Sequence, residues 1–159
     1  MEASGIAHVA FGIASLALGA AVLSSTKGTT VHRALGALYV LCMFALYVTA
    51  LTIYRAFGGF GVFHVLTVIN LPILLAGFAA VLLKLPRGRW LRYHYYLMAW
   101  SYVGLWAATA TEIAVRIPGV SFWWAVALPT MAVVLGGGAC VQLLQRRTLT
   151  RYVNAQRDC

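Results

Sequence analysis

Five apolar stretches follow one another along the chain, near 5–24, 32–54, 62–83, 94–115 and 120–143. Each is long enough to cross a hydrocarbon core of about 30 Å at the helical rise of about 1.5 Å per residue. Inside a bilayer no water satisfies backbone N–H and C=O groups, so a spanning run must close its own bonds as a helix. The links between the runs, at 25–31, 55–61, 84–93 and 116–119, are too short to hold a domain. The expected fold is all-α, an integral membrane up-and-down bundle of five transmembrane helices over 1–144. A polar, basic tail over 145–159 follows it, as a surface helix or a disordered segment.

Composition agrees with this reading. Of 159 residues, 62% are hydrophobic and 9% charged, too few charges to clothe a water-soluble surface. The first residues, Met1-Glu2-Ala3-Ser4, lack the basic start of a cleaved signal, so the first apolar run is expected to be a span of the mature protein.

The net charge of +9 would suit a nucleic-acid binder, but the placement of the charges argues for topology instead. With alternating spans, Lys27, Arg33, Lys84, Arg87, Arg89, Arg92, Arg146, Arg147, Arg151 and Arg157 share one face, and only Arg55 and Arg116 lie on the other. Such a bias marks the cytoplasmic side, which puts the N-terminus outside and the C-terminus inside. Anionic headgroups, and no nucleic acid, are the partners this charge implies. Trp90, Tyr93, Tyr95 and Tyr96 would mark the inner interface, and Phe57, Phe60, Trp123 and Trp124 the outer one. Cys42 and Cys140 fall inside apolar runs and Cys159 ends the tail. No CxxC or CxxCH occurs, so neither a zinc ribbon nor a covalent haem attachment is indicated.

A weak internal repeat is visible. His8-Val9 and His64-Val65 each open a run that ends near a lysine, and each run is followed by another beginning at His32 or His94. Pro72 and Pro129 are expected to bend their helices, and Gly136-Gly137-Gly138 to permit close approach or local bending.

The four histidines carry the chemical argument. His8, His32, His64 and His94 each stand within about a turn of the start of an apolar run, and the chain has no others. Alternating spans place His8 and His64 at the outer side and His32 and His94 at the inner side. Helical spacing then aligns His8, Gly12, Ser15 and Gly19 on one stripe, and His32, Gly36, Tyr39 and Met43 on another. A third stripe runs from His94 through Met98, Ser101, Leu105 and Ala108 to Glu112. Imidazole is a strong axial ligand, and a small residue one turn away leaves space for a flat macrocycle, so one pair per side suits two b haems. Lys27, Arg33 and Arg92 would lie near inner propionates. The bland account is that histidines sit comfortably at helix starts and bond across helices.

Glu112 is the one acidic residue within a run. As an intramembrane ionisable group it is a functional candidate, and with His8 and His64 it could bind zinc or iron at the outer side. Arg116, four residues on, supplies a structural alternative as a helical ion pair. Tyr39, Tyr47, Trp100, Tyr102 and Trp106 could stack on a quinone or haem, or simply pack. Met43 and Met98 are soft ligands in principle and core filling by default.

His8, Gly12, Gly19, Lys27-Gly28-Thr29, His32-Arg33-x-x-Gly36, His94-x-x-x-Met98 and Glu112 together resemble an uncharacterised family of small bacterial multi-pass membrane proteins, a domain of unknown function. The resemblance covers most of the chain and implies a bundle in the bacterial inner membrane. A looser, architectural similarity links the alternating histidine pairs to transmembrane di-haem b cytochromes, which pass electrons from ascorbate or quinol. The expected function is transmembrane electron transfer on haem b with quinol or another membrane redox partner. The alternatives are a zinc or iron protein, including a hydrolase, and a cofactor-free interaction protein. A homo-oligomer is compatible with each.

Overall fold

The computed structural model describes residues 3–54 and 58–157. Arg55, Phe57 and Cys159, to which the sequence assigned positions, lie outside the described residues. Five helices follow in order: α1 (Ala3–Ser24), α2 (Thr30–Thr52), α3 (Val62–Leu83), α4 (Trp90–Ala114) and α5 (Phe122–Arg157). No strand occurs among the described residues. All five expected helices are therefore present, and α5 continues well into the expected tail.

Among the described residues four helical segments are long and apolar enough to cross a membrane: α1, α2, α3 and Phe122–Gln145 of α5. The helix outside that set is α4. It has the length, at 25 residues, but Arg92, His94, Glu112 and its tyrosines dilute its apolar character. Large apolar side chains such as Ile13, Leu41, Leu82, Ile113 and Leu135 are more than half exposed. An exterior of this kind is at home in hydrocarbon and a liability in water.

The chain divides into two compact units, residues 1–74 and 75–159, the break falling inside α3 shortly after Pro72. In the first unit α1 and α2 form an antiparallel hairpin. Gly28, at φ 82°, takes the left-handed conformation its turn needs. Thr29 caps α2 by accepting the His32 N–H at 3.2 Å. Lys27 Nζ donates to the carbonyls of Val22 and Leu23, both at 2.8 Å, which serves the open end of α1. Partial burial pushes its ammonium below the ordinary lysine value. Arg33 bonds the Gly28 carbonyl through Nε and Nη2. Two of the cations expected near haem propionates are thus engaged with local backbone.

The small-residue stripe of α1 does face α2. Ser15 and Gly19 are buried, and a Cβ added at Gly12 would stand 3.7 Å from the Leu46 Cδ1. Tyr39, Val40, Met43, Leu46 and Tyr47, at helical spacing, supply the α2 side.

In the second unit α4 packs on α5 and on the last turns of α3. Gly137 admits Val103 and Gly138 admits Trp100: added Cβ atoms would stand 2.8 and 3.1 Å from those side chains. The expected close approach at the glycine run therefore occurs at its second and third members. Gly136 meets nothing within 4 Å. Gly77 does the same for α3, where a Cβ would lie 2.9 Å from the Leu97 Cβ and 3.2 Å from the Met98 backbone N. Polar ties complete the interface. Tyr95 donates to the Val141 carbonyl at 2.9 Å, Thr111 and Thr130 bond at 3.1 Å, and Tyr96 donates to Gln145. Helices α3 and α5 both continue through their prolines.

Candidate functional site: the four histidines

Each histidine sits in the first two turns of its helix, and its Nδ1 partner reveals which ring nitrogen carries the proton. Thr49 Oγ1 lies 2.8 Å from the Leu46 carbonyl and 3.0 Å from His8 Nδ1; with the hydroxyl proton on that carbonyl, the imidazole N–H donates to the hydroxyl oxygen. The same logic holds at His32. Ser25 Oγ donates to the Val22 carbonyl at 2.8 Å, and it accepts from His32 Nδ1 at 3.2 Å. At His94 the partner is the Gly77 carbonyl, at 2.8 Å, which can only accept. In neutral rings these bonds put the proton on Nδ1 and make Nε2 the lone-pair atom. Histidines that ligate through Nε2 have this arrangement, with Nδ1–H bonded to a carbonyl or hydroxyl behind the ring.

His64 is the reverse. Gly61 N–H donates to its Nδ1 at 3.1 Å, and the His64 backbone N–H returns a bond to the Gly61 carbonyl at 3.0 Å. Gly61 is the residue before α3 and His64 its third, so the ring does the work of the acidic residue in a capping box. A neutral ring of this form carries its proton on Nε2. That atom is buried with no hydrogen-bond partner, and the residue is 2% exposed. Tyr54 stacks on the ring at 4.8 Å and Phe60 tilts against it at 5.0 Å. The site as built offers a hydrogen-bond donor, not a ligand.

Two other buried polar atoms of the first unit have no partner, Ser15 Oγ and Tyr47 OH. Neither was singled out from the sequence as unpaired, although Ser15 lies on the predicted α1 stripe. Nor were Thr49, Ser25 and Gly77 foreseen as histidine partners. A register signal was available for two of them. His8 and Thr49, and likewise Ser25 and His32, are equidistant from the Gly28–Thr29 step at which the hairpin turns.

Glu112 pairs with Arg116 at 2.6 Å, with side-chain exposures of 36% and 69%, and Arg116 also bonds the Glu112 carbonyl oxygen. The structural alternative for this residue is therefore what the helix forms. Among the described residues no group of three or more His, Cys, Asp or Glu side chains could hold a metal ion. Met43 is fully buried, and the Met98 sulfur lies against Gly77, positions that suit packing. Tyr102 and Trp106 meet edge to face, and Trp106 is nearly half exposed. Cys42 and Cys140 are free thiols.

A family model described as "Predicted membrane protein (DUF2306)" matches residues 5–148, which takes in the four histidines, Glu112 and the glycine run. No curated protein and no solved structure matches the chain.

Proposed function

Since this chain belongs to the DUF2306 family of predicted membrane proteins, we propose that it is a five-span protein of the bacterial inner membrane that holds haem b. His32 and His94 are its candidate axial ligands on the cytoplasmic side, each on the setting of its own ring. The single observation behind this choice is the partner of each Nδ1, 3.2 Å from Ser25 Oγ in His32 and 2.8 Å from the Gly77 carbonyl in His94. Both rings commit Nδ1–H to a fixed acceptor, Ser25 Oγ and the Gly77 carbonyl, which orients Nε2 as the ligating atom. Haem b would supply one-electron chemistry, and quinol is the donor class we favour. The residues' own tasks are to orient the two rings and to exclude water through the apolar helices.

His8 meets the same criterion, but His64 does not. A second, outer centre on His8 and His64 requires His64 to release the Gly61 N–H and move its proton. We therefore assign His64 to capping α3. In this reading α4 is the fifth span, with the N-terminus outside, the C-terminus in the cytoplasm and the protein active as a monomer or homo-oligomer.

A reduced-minus-oxidised visible spectrum with iron and zinc quantified per chain tests this. Sharp b-type bands, lost in both His32→Ala and His94→Ala and kept in His64→Ala, are expected. A flat spectrum from haem-replete cells overturns the haem reading. Stoichiometric zinc or non-haem iron, lost on changing His8 or Glu112, would favour the metal alternative.

One observation favours a second reading, in which the histidines are ties. His8 to Thr49 joins α1 to α2, and His94 to Gly77 joins α4 to α3. A colourless, metal-free protein destabilised by either alanine variant is its signature.

A further inference from the structure

Between the Gly77–Met98 contact and the link from α3 to α4 lies an apolar groove of about 270 Å³. Ala76, Ala79 and Leu83 line it from α3, Leu85 and Pro86 from the link, and Leu97 from α4. The space follows from the sequence. Gly77 lets the two helices touch at one end, and the alanines after it have too little side chain to fill the gap that follows. Ala76 and Leu83 are seven residues apart, about 10 Å along the helix, so the groove runs two turns from the end of α3 toward its middle.

Positive charge gathers on the link that lines it. Lys84, Arg87 and Arg89 are exposed and follow directly on the lining residues, and Arg92 is exposed and lies over the Tyr96 ring at 5.8 Å. The whole chain has three acidic residues, Glu2, Glu112 and Asp158, and Glu112 is taken by Arg116. Lys84, Arg87 and Arg89 make no ion pair among the described residues. An apolar slot that ends in uncompensated cations has the shape and charge of an amphiphile with an anionic head.

We propose that this groove binds one acyl chain of an anionic phospholipid, with the phosphate held by Lys84, Arg87 and Arg89. The inference is independent of any haem. Lipids of equal chain length bring the same chain to the groove, so the headgroup charges carry the preference between them, and the chain adds packing contacts along the groove. The groove contributes position, keeping one lipid where diffuse attraction would keep many exchanging.

The test is native mass spectrometry of the full-length chain from detergent, equilibrated with phosphatidylglycerol and phosphatidylcholine of equal chain length. Retention of one phosphatidylglycerol in preference to phosphatidylcholine is expected. The combined variant Lys84→Gln, Arg87→Gln, Arg89→Gln should lower that retention at least fivefold. Ala76→Phe, at an exposed position, should lower it with every charge intact, whereas Arg116→Gln should not. On the unaltered chain, short-chain phosphatidylglycerol should be retained less than the long-chain lipid, and inorganic phosphate should not displace either. Equal retention of both headgroups overturns the proposal. So does chain-length independence, or wild-type retention by Ala76→Phe, since either leaves only diffuse attraction to a charged surface.

Discussion

His94 donates its Nδ1–H to the Gly77 carbonyl, whereas His64 accepts the Gly61 N–H at the same ring atom, so residues that look equivalent in sequence differ in which nitrogen can ligate. Replacing His94 by alanine removes a bond between helices. Such bonds within membranes contribute about 0.6 kcal/mol and at most about 1.7. A loss of that size in a detergent unfolding titration is expected for His94→Ala, and Thr49→Val should lose about as much through His8. Glu112→Gln should cost about 0.5 kcal/mol or less and leave bound iron unchanged, because its partner Arg116 is mostly in the open. A large loss of iron in that variant would restore Glu112 as a ligand. The placement of each histidine near a helix start was legible in the sequence. Its tautomer was not, because that depends on which hydroxyl, carbonyl or N–H the fold brings to the ring.

Glycines separate sharply by what faces them on the neighbouring helix. A methyl at Gly77 would press on the Leu97 Cβ and on backbone at Met98, neither of which a rotamer change can move. Gly77→Ala is expected to cost about 1–3 kcal/mol, the usual penalty of overpacking. At Gly137 the obstacle is the Val103 side chain, so Val103→Ala should recover much of the cost of Gly137→Ala in a double-mutant cycle. Gly136 faces nothing, and Gly136→Ala should be neutral or stabilise by up to about 1 kcal/mol through helix propensity. Thermal unfolding of these variants in detergent would rank them, and equal effects at Gly136 and Gly137 would mean the α4–α5 packing is wrong. The glycine run itself pointed to close approach or local bending. Which glycine meets which side chain required the helices to be side by side.

Across the whole chain, charge and hydropathy lead to separate conclusions that must agree. Four segments are apolar enough to span, and α4 joins them in our reading because the cationic clusters then fall on one side. Accessibility labelling of single cysteines in a background lacking Cys42, Cys140 and Cys159 checks this directly. A cysteine at Ser121 should react from outside, and one at Gly88 only after the membrane is opened. Both reacting from the same side would make α4 a surface helix and move the C-terminus outside.

Helix number, approximate bounds and an apolar exterior all followed from residues read in order, because a spanning helix must satisfy its backbone within itself and needs no distant partner. Glu112 with Arg116 likewise announced the ion pair, through a contact of a few residues. The outcome at His64, the unpaired Ser15 and Tyr47, the seats at Gly77 and Gly137, and the groove beside Ala76 came from the packing. Each depends on residues far apart in the chain or on a local bond that competes with function, and a linear pattern carries no distance across a helix interface.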